Sequence, residues 1–167
     1  MSTLAGEALQ TALNPIDLVE EIIGANEWPF QRAGENELVA EISGRWCDYR
    51  LHFGWLPEIN AMEFSCGLDI KVTPRQRGPV SALLALVNER IWIGHFDLTG
   101  KGGLLCFRHA MLLRGARGVS VEQLEDLVDI AVAECERFYP AFQFVLWGGK
   151  NASEAIEAAV IETAGEA

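Results

Sequence analysis

The sequence predicts an α+β fold in two layers, a twisted antiparallel sheet packed against helices. Long stretches alternate apolar and polar residues, as strands with one buried face do. In "NAMEFSCGLDIKV" every second residue from Met62 to Val72 is apolar. Other stretches carry apolar residues at helical spacing, and they interrupt the strands without a regular strand–helix alternation. The predicted order is α-β-β-β-β-α-β-β-α.

The first half of the chain is expected to contain one helix and four strands. Asn14 and Pro15 suit the start of a helix as N-cap and first helical residue, and Gly24 suits its end. The stretches "WPFQRA" and "ELVAEIS" flank a tight turn at 34–36 and predict a hairpin. "CDYRLHFGW" alternates in the same way, and "LPEI" at 56–59 then reverses the chain into the fourth strand.

The second half is expected to contain a helix, two strands and a longer helix. Apolar residues recur at helical spacing over 80–90. Strands are expected over 92–98 and 104–113, with a glycine-rich turn between them. The longest helix is expected to begin at Ser120, because Ser120 and Gln123 have the spacing of a capping box.

The predicted organisation is a single domain with a short segment at each end. A chain of 167 residues has the length of one domain. Pro140 is expected to end or kink the long helix, since proline lacks the backbone N–H that a helix interior uses. The expected parts are a flexible leader at 1–13, the α+β domain at 14–148 and a C-terminal helical tail at 149–167.

Composition excludes several classes of partner and location. The net charge of −11 argues against nucleic acid and against anionic membrane surfaces as partners. No apolar run approaches the roughly 18 residues that a membrane span needs. The start "MSTLAGEALQTALNP" lacks the basic region and apolar core of a signal peptide. The four cysteines fall in hydrophobic patterns without zinc-ligand spacing, which is typical of buried free thiols in a cytoplasmic protein.

The stretch "HFDLTGKGGLLCFRHA" has the composition of a phosphate-binding loop but not its spacing. A phosphate loop needs a glycine five residues before Gly100 and a serine or threonine after Lys101. Those positions hold His95 and Gly102. A strand, not a helix, is expected to follow, so the glycines predict a hairpin turn.

The same hairpin carries no recognisable catalytic or metal site. His95 and His109 lie on its two arms and are expected to face the same side, with Asp97 as the nearest third ligand. Two histidines do not complete a metal site. Cys106 and His109 are three residues apart, so on one strand they point to opposite faces and form no dyad. We expect no catalytic residue, no metal and no cofactor.

Aromatic residues at strand ends suggest a partner-binding surface. Trp46 and Trp55 bracket the third predicted strand, and the chain then enters an apolar turn containing Leu56 and Ile59. Tryptophan is enriched at the energetic centres of protein interfaces. These four residues are the candidate partner-binding set; the alternative is that the tryptophans pack in the core.

Several stretches together resemble the YbjN-domain family of bacterial proteins, described as regulators of sensory transduction. The resemblance spans about 14–156 and is carried by patterns of strand, turn and helix. These stretches are "RWCDYRLHF" (45–53), "ALVNERIWIGHFDL" (85–98), "LLCFRHAMLL" (104–113) and "YPAFQFVLWGGKNASEAI" (139–156).

The resemblance implies a fold like that of type III secretion chaperones, a twisted antiparallel sheet on helices that often forms dimers. The implied role is non-enzymatic: the protein binds a partner protein or peptide, by strand addition or in an apolar groove, in bacterial stress or sensory regulation. A homodimer is expected. The alternative is a small-molecule sensor or an unrecognised enzyme with a pocket near His95, Arg108 and His109.

Overall fold

The computed structural model describes residues 12–164 and has the predicted α+β architecture. One six-stranded antiparallel sheet is packed against helices, and the order of elements is the predicted one followed by a C-terminal helix. The elements are α1 (Ile16–Ala25), β1 (Phe30–Arg32), β2 (Glu37–Ser43), β3 (Asp48–Leu56), β4 (Ala61–Lys71), α2 (Arg77–Asn88), β5 (His95–Thr99), β6 (Leu104–Leu112), α3 (Val121–Leu146) and α4 (Ala152–Ala164). A short 3₁₀ turn, Pro57–Ile59, joins β3 to β4.

The strands lie in the order β1-β2-β3-β4-β6-β5, and their register defines two faces. Phe53 pairs with Phe64, and Phe64 pairs with His109, so these side chains share one face. Most buried side chains of β3, β4 and β6 follow this parity, with Ala61 and Cys106 as exceptions, and the helices cover that side. We call the opposite side the open face; His52 and Ser65 lie on it.

The core is built from the covered face of the sheet and the apolar sides of the helices. Phe96 on β5 is 1% exposed and its ring contacts those of Phe107, Phe138 and Phe142. This cluster joins the β5–β6 end of the sheet to the second half of α3. The alternation seen in the sequence therefore marks the core correctly.

All four cysteines are free thiols, and three of them are buried. Cys66, Cys106 and Cys135 are buried, while Cys47 is half-buried. The sulfurs of Cys66 on β4 and Cys135 on α3 lie 3.7 Å apart in the core. Their burial agrees with the hydrophobic patterns in which they occur.

The two ends of the described chain pack against the domain. The leader was expected over 1–13; residues 1–11 lie outside the described part, and at its start Ala12 is 4% exposed and donates its backbone N–H to Asn60 Oδ1 at 3.2 Å. At the other end, α4 packs against α2 and α3 through Ala155, Ile156 and Ala159. No helix within residues 12–164 combines the length and apolar composition needed to cross a membrane.

Strand β5 begins three residues later than predicted. Gly94 turns the chain at φ +72°, a conformation in which other residues are strained, and pairing begins only at His95. Trp92 and Ile93, expected in the strand, lie in the preceding loop and are exposed. The apolar character of "IWI" gave no sign of this break.

The sequence predicted an end or a kink at Pro140; helix α3 does not end there but continues to Leu146. Proline removes the N–H that would bond the carbonyl of Glu136, four residues earlier. In this fold the Glu136 carbonyl instead accepts a hydrogen bond from the indole of Trp46. Pro140 is itself buried, and α3 therefore keeps its contacts with the core on both sides of it.

Candidate partner-binding groove

The open face of the sheet contains a groove of about 560 Å³ along β4 and β6. One end of the groove is apolar and the other is polar. The apolar end is lined by Leu56, Ile59, Ala61, Ala110 and Leu112. The polar end is lined by His52, Glu63, Ser65, His95 and Arg108.

The wall of the groove at β6 is a sheet edge without a neighbouring strand. Strand β5 pairs with β6 only from Leu104 to Arg108, whereas β4 pairs with β6 as far as Leu112. The last four residues of β6 therefore have a strand on one side alone. We call this stretch, 109–112, the bare edge.

The direction of the backbone groups on the bare edge follows from the ladder. Leu113 donates its N–H to the carbonyl of Asn60, so the residue 113 backbone points toward β4. Directions alternate along an antiparallel strand, so the N–H and C=O groups of Ala110 and Leu112 point the other way. Within residues 12–164 no backbone group bonds to them from that side. The bare edge thus offers two donors and two acceptors to an added strand.

The neighbouring edge of β5 is closed by a side chain. The amide group of Asn88 at the end of α2 donates to the carbonyl of Phe96 at 3.1 Å and accepts from the Phe96 N–H at 2.8 Å. The next outward N–H, that of Leu98, donates to the Asp97 carboxylate at 2.8 Å. Such blocking is how natural sheets avoid pairing with other chains. At the β5–β6 end of the sheet, residues 109–112 therefore form the edge that remains open to an added strand.

Exposed apolar side chains flank the bare edge. Leu112 is 81% exposed, Ile59 is 59% exposed and Leu56 is 37% exposed. All three line the apolar end of the groove. Apolar side chains beside unpaired backbone groups are the combination that an extended peptide uses when it adds to a sheet.

The polar end contains an ion pair and a histidine–carboxylate hydrogen bond on the open face. Arg108 Nη1 lies 3.2 Å from Asp97 Oδ2, and His52 Nε2 lies 2.7 Å from Glu37 Oε1. These contacts are exposed, and each is worth at most about 1 kcal/mol. Asp97 therefore pairs with Arg108, and no group of three metal-ligating side chains occurs in the described part of the chain.

The two histidines of the hairpin do not share a face, so this expectation was wrong. His95 is opposite Arg108 in the ladder, which places it on the open face. His109 is one residue further along β6 and points to the covered face. Burial and the neighbouring His95 together lower the pKa of His109. Both residues line the groove, and the pairing of β5 with β6 begins at His95 and Arg108, one residue short of His109.

The four residues predicted to bind a partner divide into two kinds. Leu56 and Ile59 are exposed and line the groove. Trp55 is 5% exposed and belongs to the core, so its ring offers no surface to a partner. Trp46 is half-buried, stacks on Tyr139 at 5.9 Å between ring centres, and binds the α3 backbone.

Sequence reasoning missed Ala110 and Leu112. Both fall in a stretch that reads as an ordinary strand, and their accessibility depends on how far β5 extends. The unequal lengths of the two strands were the available signal, but the sequence placed the start of β5 too early, at residue 92. With that start, the register of the two strands would have paired β6 as far as Met111 and covered Ala110.

Comparisons with known proteins agree with this fold. The model of the YbjN family, described as "Putative bacterial sensory transduction regulator", matches residues 15–144. Among solved structures, the chain is similar to "Crystal structure of YbjN, a putative transcription regulator from E. coli". The two are 14% identical, the alignment covers 93% of this chain and 97% of that chain, and the TM-score is 0.52, which shows the shared fold alone. Comparison with curated proteins gives no match.

Proposed function

Since the chain belongs to the YbjN family, whose description is that of a sensory transduction regulator, we propose that it is a non-enzymatic, chaperone-like regulatory protein that binds an extended segment of a partner protein. The segment adds as a strand to the bare edge of β6. The added strand continues the line of β5 along β6, and it ends where this protein's own chain turns at Gly94. No cofactor takes part.

The observation that carries the proposal is the pair of outward-facing backbone positions at Ala110 and Leu112. Unpaired backbone groups at a sheet edge are a template for another chain, and natural proteins normally block them. Here Asn88 blocks the edge of β5, while the adjoining edge of β6 has no such block among the described residues.

The groove supports a preference for an apolar segment. An added strand places alternate side chains on the open face, over Leu112 and Ile59. Burial of one leucine-sized side chain there contributes about 1.5–3 kcal/mol. Main-chain bonds would give affinity, and the apolar end of the groove would select the sequence.

Backbone amide signals in a nuclear magnetic resonance titration test the proposal directly. The probe is the extended peptide Ac-TVLVT-NH2, and its copy with N-methyl groups on alternate residues is the control. We expect the amide signals of Ala110 and Leu112 to shift with the first peptide and not with the second. Shifts confined to other elements, or equal binding of both peptides, would remove strand addition from consideration.

A proline at residue 110 provides a matched variant. Ala110→Pro removes an outward N–H, and the ladder with β4 does not use that group. The variant should fold, lose peptide binding and keep its amide spectrum elsewhere. Unchanged peptide affinity in a folded Ala110→Pro protein contradicts the proposal.

The same variant distinguishes binding of a partner segment from the expected homodimer. If a second copy occupies the bare edge, sedimentation should show a dimer for the unaltered protein and a monomer for Ala110→Pro. In that case the edge is a self-association surface, and the partner-binding proposal fails for this site.

A further inference from the structure

A second cavity opens on the covered side of the sheet, between α1 and α3. It has a volume of about 220 Å³. The walls of the cavity are the partly buried Ile22 and Trp28 and the exposed Asn26. Its floor is formed by buried apolar residues, which are Val19, Ile23, Phe53, Leu124 and Val128. We call this cavity the α1–α3 cleft; it shares no lining residue with the groove on the open face.

Two carboxylates stand at the rim of the α1–α3 cleft. Glu125 and Asp129 are four residues apart on α3, so they lie one turn apart on the same side of the helix. Both side chains are exposed. No ion pair between either of them and a lysine or arginine is found in the described part of the chain.

In the described chain, α1 contains no lysine or arginine. Every charged residue of α3 from Val121 to Ala133 is acidic. On the α1 side the neighbouring base, Arg32, is already held by Asp17 at 2.7 Å and Glu20 at 2.6 Å. With a net charge of −11 for the whole chain, the rim of the cleft attracts cations and repels anions.

The size of the cleft limits what it can hold. A cavity of about 150 Å³ is enough for benzene, and pockets for drug-sized ligands start at about 300 Å³. At 220 Å³ the α1–α3 cleft accommodates a single ring with a short arm. The partly buried ring of Trp28 forms part of the wall and provides an aromatic contact for such a ring.

We propose that the α1–α3 cleft binds a small organic cation made of one apolar ring and a short amine arm. The ring lies between Ile22 and Trp28, over the buried floor of the cleft, and the ammonium group lies between Glu125 and Asp129. Because the cleft and the groove use different residues on opposite faces, this proposal stands or falls separately from strand addition.

The probe for the test is 2-phenylethylamine, and the control is 2-phenylethanol, which has the same shape without the charge. The readout is the set of indole N–H signals, with the Trp28 signal assigned through Trp28→Phe. We expect the amine to shift the Trp28 signal at millimolar concentration and to bind at least tenfold more tightly than the alcohol, with the difference shrinking as salt is added.

A charge-neutral variant separates the contribution of the two carboxylates to binding from that of the cavity. Glu125→Gln combined with Asp129→Asn changes two exposed side chains, so the fold should be retained. In this variant the amine should bind no better than the alcohol. Val128→Phe fills the cleft and should abolish binding of both compounds.

Three outcomes would overturn the proposal. The first is the absence of any Trp28 shift with the amine. The second is equal binding of amine and alcohol to the unaltered protein. The third is amine binding that survives both variants, since the compound then binds elsewhere.

Discussion

The indole Nε1 of Trp46 lies 3.2 Å from the backbone carbonyl oxygen of Glu136 and donates a hydrogen bond to it. This carbonyl is the one that Pro140 leaves without its helical donor. The turn between β2 and β3 thus supplies a bond that α3 cannot make for itself. The indole also stacks on Tyr139, with 3° between the ring planes.

We expect Trp46→Phe to lower the free energy of unfolding by about 1 kcal/mol, because a partly buried carbonyl loses its donor while an aromatic ring is kept. Pro140→Ala should restore a backbone N–H to the same carbonyl. In that background the loss caused by Trp46→Phe should shrink by at least about 0.5 kcal/mol. Denaturant unfolding of the four proteins in this cycle measures the coupling, and strictly additive effects would contradict it.

Gly44 should not tolerate a side chain. A Cβ at this position would overlap the ring of Tyr49 and the carboxylate of Glu136. We expect Gly44→Ala to destabilise the protein by about 1–3 kcal/mol, as overpacking of a filled site does. Gly24→Ala is the matched control: a Cβ there meets nothing within 4 Å, and alanine in α1 should raise stability by up to about 1 kcal/mol. Thermal unfolding compares them, and equal melting temperatures would show that Gly44 has room.

Stability should fall in mild acid because of His109. Burial and the neighbouring His95 lower the pKa of His109 below its ordinary value of 6.5. The unfolded chain therefore takes up the proton first as the pH falls. The free energy of unfolding decreases from about pH 6.5 downward and levels off below the pKa of the folded protein.

His109→Gln should flatten this part of the stability profile, and His95→Gln should flatten it partly by removing the nearby positive charge. Denaturant unfolding at half-unit steps between pH 5 and 7.5 gives the slopes. A profile of the same slope in His109→Gln would assign the acid sensitivity to other groups.

The cysteines of the native protein should react slowly. Burial raises the pKa of the Cys47 and Cys106 thiols to about 11. Relative to a thiol with the ordinary pKa of 9.0, the reactive thiolate at pH 8 is roughly a hundredfold scarcer. Alkylation with iodoacetamide, followed by mass spectrometry, should label half-buried Cys47 first and Cys66 and Cys135 only in denaturant. Rapid labelling of Cys135 without denaturant would show that the core opens.

The sequence predicted the sheet well because one face of it is buried. From Met62 to Ile70 the apolar alternation matches the core, and Ser120 and Gln123 form the predicted capping box. These features depend on neighbours in the chain, and local patterns record them. The continuation of α3 through Pro140 was not predictable in this way, because its supporting donor, Trp46, is about 90 residues away.

The candidate groove was predictable only in part. Leu56 and Ile59 stood out as apolar residues in a turn, and they do line the groove. Trp55 looked like a contact residue but its strand parity buries it. The bare edge at 109–112 depends on where β5 starts, which Gly94 sets through its backbone conformation. The open edge results from a difference in length between two separate strands, and no local sequence pattern records that difference.

The two hydrogen bonds between Asn88 and Phe96 have a consequence for stoichiometry. A sheet that can gain strands without limit polymerises, whereas this end of the sheet combines one closed length with one open length of four residues. Under the proposed strand addition it therefore has a valence of one: a single segment saturates it. Removing the Asn88 amide would open a second length of the same edge and raise that valence.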